Sequence, residues 1–344
     1  MPVPPPESAP ARDAEDSRPR ESSRLSDGAR AWALSTRWNA RRHTDGAALV
    51  EEVRAAGFDA LELGYDLTRD LVPGIQACVE RGEVRVVSVH NYCPVPMGVP
   101  RGHPELFTFA DPDPRIRAKA VEATAATVRF AAGVGASVVV VHAGYVRCRA
   151  GTPRLHRLIR AGRGDSRAFE RVRARLDRRR ERYAPRALAW VREGLEALAP
   201  VLDETGVRIG LENLPFWEAV PSEIETLGLI HDLGAARLGY WHDTGHGHLR
   251  EGLGFTHHAR LLERVAAGLI GAHLHDACLP DRDHLLPGEG GIDFASLAPW
   301  LAAPGCLHVM EPSREASAEA LRAARTRLDA LLARPRDGDA KGAG

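Results

Sequence analysis

The sequence predicts an α/β protein: an eight-stranded parallel (β/α)8 barrel, a TIM barrel. Three observations carry this. Eight short apolar runs alternate with eight helical patterns over roughly 300 residues, the usual size of such barrels. Most of the runs are apolar throughout, as strands covered on both faces should be. No glycine-rich phosphate turn follows an early strand, as an open doubly wound sheet would usually show.

The elements follow in order. WALS (32–35) leads to a helical pattern at 46–56, closed by Gly57. ALEL (60–63) leads to one at 69–81, closed by Gly82. RVVSVH (85–90) is followed by a proline-rich connection, 91–113, and a helix over 114–135, with Gly135 at its end. SVVVVH (137–142) precedes a second long connection, 143–166, and a helix over 167–204, stopped at Gly206. VRIGLE (207–212) precedes a helix at 221–233, stopped at Gly234. RLGYWHD (237–243), LIGAHLH (269–275) and CLHVME (306–311) precede helices at 257–267, 293–302 and 317–333. Glycine is the usual helix stop because it tolerates a left-handed backbone. The barrel is thus expected over 30–333, between tails 1–29 and 334–344 whose composition reads as disordered.

Composition excludes several classes. Formal net charge is zero, which gives no global attraction to nucleic acid or an anionic membrane. Five scattered cysteines, never in a CxxC pair, argue for reduced thiols and a cytoplasmic protein. No run of about eighteen apolar residues is present to span a bilayer. The N-terminal stretch lacks the apolar core of a secretory signal. From 147 to 186 fifteen arginines face four acids, read as a solvated helix in preference to an anion-recruiting lid.

Chemistry concentrates at the strand ends. Glu62, His90, His142, Glu212, Asp243, His246, His273, His275 and Glu311 all stand at or just beyond the C-terminal end of an expected strand. In a parallel barrel those ends share one mouth. Burying so many unpaired ionisable groups would be costly, and a shared metal or polar ligand removes that cost. Glu212, Asp243, His273 and Glu311 suit a divalent metal such as Mn²⁺, Mg²⁺, Co²⁺ or Zn²⁺. Asp243 and His246 are expected across a turn that Gly245 permits. His242 points to the opposite strand face and is expected to be structural, with His248 outside the ligand set.

The ordered motifs GLEN (210–213), DTGH (243–246), HLHD (273–276) and LPGEGGIDF (286–294) resemble the xylose-isomerase-like TIM-barrel family. That family holds sugar isomerases, ketose 3-epimerases, inosose dehydratases and zinc endonucleases that cut at abasic sites. The resemblance implies a metal on Glu212, Asp243, His273 and Glu311. It implies substrate contact by His246, and a PGEG loop that brings His284 and Glu289 to the mouth. Many members carry lysine where this chain has His275, and xylose isomerase also uses a metal-site lysine that a chain with only Lys119 and Lys341 does not readily supply, which argues against a hydride-shift aldose isomerase of that type.

The expected function is a metal-dependent isomerase or epimerase of a sugar, sugar phosphate or cyclic polyol. Glu212 and Glu311 would exchange the proton through an enediolate. Glu62, His90, His142, His246, His275, His284 and Glu289 would contact substrate. The alternatives are an inosose-type dehydratase, a zinc phosphodiesterase resembling the abasic-site endonucleases, and a barrel that only binds a ligand. The partner expected is a small sugar-like molecule, with no nucleic acid and no membrane, and self-association is left open.

Overall fold

The computed structural model describes residues 32–147 and 151–333; both expected tails lie outside them. Strands β1 (Trp32–Ser35), β2 (Ala60–Leu63), β3 (Arg85–His90), β4 (Val138–Val141), β5 (Arg208–Glu212), β6 (Leu238–Asp243) and β7 (Leu269–Leu274) run in parallel. A two-stranded antiparallel hairpin, β8 (Asp276–Cys278) and β9 (Arg282–Leu285), follows β7. Then β10 (Leu307–Met310) pairs with both β7 and β1 and closes the barrel.

Strand parity builds two cores. Ala33, Ala60, Val138, Val140, Trp241, Ile270 and Val309 form the inner cluster. Their neighbours Leu34, Leu61, Val139, Leu238, Tyr240 and Met310 join the larger layer beneath the helices, as does Ala272, which a register shift opposite Tyr240 and Trp241 sets on the other side from Ile270. Trp241 fills the tube because its surroundings are glycine: a Cβ on Gly271 would lie 2.2 Å from its ring. The wide aromatic side chain and the missing ones are one packing solution.

The expected helices are α1 (Gly46–Ala55), α2 (Val72–Glu80) and α3 (Pro114–Gly133), then, after an intervening α4 (Thr152–Arg160), α5 (Arg167–Thr205) and α6 (Glu223–Leu233). After an inserted α7 (Thr244–Gly252) come α8 (His258–Val265), α9 (Phe294–Leu301) and α10 (Ala318–Leu332). The long α5 runs through Pro185 and Pro200. An interior proline costs about 3 kcal/mol. The helix survives because Leu176, Arg180, Ala184, Ala187, Val191, Leu195, Leu198 and Leu202, spaced three or four apart, are all buried.

Two inserted helices correct the sequence reading. α4 lies within the long connection 143–166, where no separate helix is expected. α7 begins at Thr244, so Asp243 and His246 are related by a first helical turn, not by an isolated glycine turn. The glycines make room: a Cβ on Gly245 would sit 2.0 Å from the His275 ring, and one on Gly247 would sit 2.4 Å from His258. Poor helix propensity at these glycines misled the sequence reading; tertiary packing selects the helix.

Candidate metal centre

Continuing past the inner apolar cluster, the same strand face turns from carbon to ionisable groups. His273 is the centre. It is fully buried, and Trp241 packs edge-on beneath it at 5.2 Å between ring centroids. Its Nε2 lies 3.0 Å from both oxygens of Glu62. Glu62 can only accept, so Nε2 carries the proton. Nδ1 then points a lone pair at three carboxylates: Glu212 Oε1 at 3.3 Å, Glu311 Oε2 at 3.4 Å and Asp243 Oδ2 at 3.8 Å.

That donor set fits a cation. Three carboxylate oxygens approach one buried nitrogen, where desolvated like charges cannot be left facing one another. Burial alone would lower the His273 pKa, but Glu62, Glu311 and Glu212 raise it well above the ordinary value. A second proton there does, in the metal-free protein, what a divalent ion would do. Three carboxylates and one imidazole suit Mg²⁺, Mn²⁺, Co²⁺ or Zn²⁺. Asp243 is shared between two candidate groups, one with His273 and Glu311 and the other with Glu212 and His246.

Asp243 also ends β6 and caps α7, its Oδ1 accepting from the His246 backbone N–H at 2.7 Å. The backbone of Asp243 is held by the side chain of Asn213, which accepts from its N–H at 2.7 Å and donates to its carbonyl at 3.0 Å. The Asn213 carbonyl also receives Nδ1–H of His246 at 2.8 Å, so His246 turns Nε2 outward, 4.0 Å from Asp283 Oδ2. Burial would lower its pKa; Asp243 and Glu212 raise it to about 9.

His90 and His142 join Glu212. The Nε2 of His142 is 3.0 Å from Glu212 Oε2, and that of His90 is 3.4 Å from the same oxygen. Nδ1 of His142 faces Glu105 Oε1 at 3.2 Å, and Tyr145 donates to that same oxygen. Against the effect of burial, Glu212 and Glu105 raise the His142 pKa to about 10. Although burial opposes it, Glu212 is pulled well below the usual carboxylate range by His142 and His273. His90, His142 and Glu212 are themselves close enough to hold an ion.

Three expected substrate contacts are placed elsewhere. Glu62 is fully buried, with Ser88 donating to it at 2.8 Å; it supports His273 from behind. His275 is also fully buried: it accepts from the His284 N–H at 2.9 Å, and so donates from Nε2 to Asp243 Oδ2 at 2.9 Å. Glu289 is exposed and accepts from Leu286 N within its own loop at 3.1 Å. That loop is tied instead by Asp276, whose carboxylate accepts from the N–H groups of Gly288, Gly290 and Ile292. His284 does reach the rim, where its Nδ1 donates to the Glu311 carbonyl at 3.0 Å. It adopts φ 55°, a left-handed backbone uncommon for a side chain of this size.

Sequence reasoning missed Glu105, Tyr145, Tyr65 and Arg37. Arg37 lies 3.7 Å from Glu311 Oε1 and donates to the Tyr65 hydroxyl at 2.8 Å. It stands two residues past the end of β1, so the strand-end rule, carried slightly further, finds it. Glu105 sits in the proline-rich loop, where no period marks it.

Comparison with known proteins agrees with this architecture. A D-tagatose 3-epimerase-like protein superimposes with a TM-score of 0.63 at 20% identity, covering 88% of this chain and 97% of the other. The 3-keto-D-glucoside 4-epimerase YcjR from E. coli gives 0.60 at 17%, covering 88% and 100%. The IOLI protein, whose structure holds a zinc atom, gives 0.59 at 14%, covering 88% and 98%. An uncharacterized protein of Methanocaldococcus jannaschii is 24% identical over 255 residues, 71% of each chain. The family model described as xylose isomerase-like TIM barrel matches residues 50–331, and the chain belongs to that family.

Proposed function

We propose that the protein is a metal-dependent isomerase or epimerase acting on a sugar, sugar phosphate or cyclic polyol by proton transfer through an enediolate. The observation that carries this is the His273 imidazole, its proton turned to Glu62 and its lone pair to Glu212, Asp243 and Glu311. The epimerase names among the structural relatives, and the zinc in one of them, support it. A divalent ion held by Glu212, Asp243, His273 and Glu311 would supply positive charge beside a developing substrate oxyanion.

The chain's own groups do the rest. Glu212 and Glu311 approach His273 Nδ1 from β5 and from the end of β10. One takes the proton next to the substrate carbonyl and the other returns one, as epimerisation requires bases on two faces. His246 offers Nε2 to a substrate hydroxyl. Both glutamates are 4% exposed, so bulk water does not compete with them at the reacting carbon, and their carboxyl protons exchange with solvent between turnovers. The expected partner is a small molecule, and among the described residues no helix is long and apolar enough to cross a membrane.

Metal analysis followed by deuterium wash-in on D-fructose, other ketoses and inososes tests the reading. One ion per chain and solvent label at the carbon beside the carbonyl are expected. Metal-free active protein, or turnover without label, overturns it. A second reading, a zinc phosphodiesterase like the abasic-site endonucleases, is favoured by the His90–His142–Glu212 group and by Asp283 near His246. Two or three ions by calorimetric titration with Zn²⁺ would move the assignment there. Water loss from an inosose in the same panel would identify a dehydratase.

A further inference from the structure

A cavity of about 350 Å³ opens on the flank of the mouth. Its walls come from three places: α4, with His156, Arg157 and Arg160; the connection after β5, with Phe216; and the β8–β9 hairpin, with Asp281 and Asp283. Asp283 joins it to the metal centre, because its Oδ2 lies 4.0 Å from the outward nitrogen of His246. The α4 wall is fixed: Glu218 accepts from the backbone N–H groups of Gly151 at 2.8 Å and Thr152 at 3.1 Å. Nothing in the proton-transfer chemistry uses this space.

Its polar groups are not balanced for an anion. Arg160 is already paired with Asp281, and Asp283 adds a second negative charge against Arg157. His156 decides further. It is 5% exposed, and its Nε2 has no hydrogen-bond partner among the described residues. Its Nδ1 faces Asp281 Oδ2 at 3.7 Å, a charge contact too long to be a hydrogen bond. Burial lowers its pKa, so the ring stays neutral near pH 7. A buried ring nitrogen without a partner wants one. A phosphate dianion would meet Asp281 and Asp283 with like charge, whereas a hydroxyl, both donor and acceptor, suits His156 in either tautomer, donates to the carboxylates and accepts from Arg157. Phe216 adds an aromatic surface beside them.

We propose that this cavity is a second subsite for a neutral glycosyl ring, so that the substrate is a glycoside whose reacting ring lies at the metal centre. The proposal rests on the sugar isomerase or epimerase reading for the identity of that reacting ring. A pre-formed pocket with a few placed polar groups and an aromatic wall is the usual form of such sites.

The test has two arms on the metal-loaded full chain. In the first, saturation-transfer NMR follows binding of methyl α-D-glucopyranoside, which has no carbonyl to react. A signal is expected in the wild type and its loss in His156→Leu and in Arg157→Ala, the latter an exposed residue whose removal leaves folding intact. In the second, deuterium exchange gives kcat/KM for D-fructose, D-fructose 6-phosphate and isomaltulose, a glucosyl-fructose. Isomaltulose should exceed fructose by about tenfold, the worth of one or two added hydrogen bonds. The variants should remove that advantage and leave fructose turnover within about twofold, the size of a surface change away from the reacting atoms.

Glucoside binding that His156→Leu abolishes, with no ketose turned over, supports the subsite and rejects the reaction. Fructose turnover with no glucoside signal, or with a preference for the phosphate, rejects the subsite and keeps the reaction. Neither binding nor turnover rejects both.

Discussion

His242 and Asp243 are neighbours on β6 and face opposite sides of the sheet. On the inner side Asp243 enters a cluster of carboxylates and imidazoles, with His275 at 2.9 Å and His273 at 3.8 Å. On the outer side His242 meets Tyr240 at 2.7 Å and the Nε2 of His258 at 2.9 Å. Both sides are fully desolvated, yet their imidazoles respond in opposite directions. Among carboxylates, and despite burial, His246 rises to about 9; behind the strand, burial drives His242 down to about 4. Burial disfavours charge on both faces, and only nearby opposite charge overrides it. One face needs a cation or extra protons, while the other is satisfied by neutral tautomers alone. Histidine content by itself therefore says little about a metal site. Strand parity and the company of carboxylates decide.

The largest effect expected from breaking this contrast is chemical. Glu212→Gln keeps the shape and a carbonyl oxygen but removes a base, and turnover should fall by about 10²-fold or more. The same variant should retain part of its metal by elemental analysis. Unchanged deuterium exchange in Glu212→Gln would remove the inner face from the reaction.

The next is acid stability on the outer face. A histidine whose folded pKa is depressed is protonated first in the unfolded chain. Its contribution is complete above the unfolded value near 6.5 and is lost as pH falls towards the folded value. For His242, whose folded value is about 4, the loss is on the order of 3 kcal/mol between pH 6.5 and 4. His258 is pushed well below its ordinary value by burial and by His242, and it acts in the same sense. Urea unfolding of chelator-treated protein at several pH values measures the slope, and His258→Leu should flatten it. An identical slope in that variant assigns the acid lability elsewhere.

Behind the proposed metal ligands the effect should be smaller again. Glu62 fixes which nitrogen of His273 is free, as carboxylates commonly do for ligating imidazoles, and losing such a partner weakens metal binding by about 10–100-fold. Glu62→Gln should show this in chelator competition. Excess metal should restore most of the turnover, because Glu62 does not touch the reacting atoms. If Glu62→Gln binds metal normally and loses activity, Glu62 has another role.

Much of this arrangement is legible in the sequence, for physical reasons that can be named. Fully apolar runs such as Val138–Val141 mark strands buried on both faces, and the polar residue after each marks the mouth. The period of two in His273-Leu274-His275 shows that both rings share a face, but not that His275 lies behind Asp243. That needs the depth of the barrel, which no local pattern encodes. Glu62 is the same case: its strand-end position is readable, while its turn towards His273 depends on β2 and β7 facing one another across the barrel. Helix α7 was hidden because glycine and histidine are poor helix formers, and its glycines answer to His275 and His258, residues remote in sequence. Glu105 reaches His142 from a loop whose path is set by packing alone.

The smallest effect sharpens the separation of the two faces. The Tyr240 hydroxyl lies 2.7 Å from His242 Nδ1. If it donates there, His242 carries its proton on Nε2 and gives it to His258, so one hydroxyl orders the whole outer chain. Tyr240→Phe keeps the ring in the helix-facing core and leaves Nδ1 without a donor, at a cost of about 1 kcal/mol or slightly more. Thermal or urea unfolding should detect that loss. Metal affinity should change by less than about twofold, since hydrogen bonds on the outer face do not reach the ligands and distant effects are usually additive. A tenfold drop in metal affinity in Tyr240→Phe would mean that His242 passes its orientation through the backbone to Asp243. The two faces of β6 would then be a single mechanical unit.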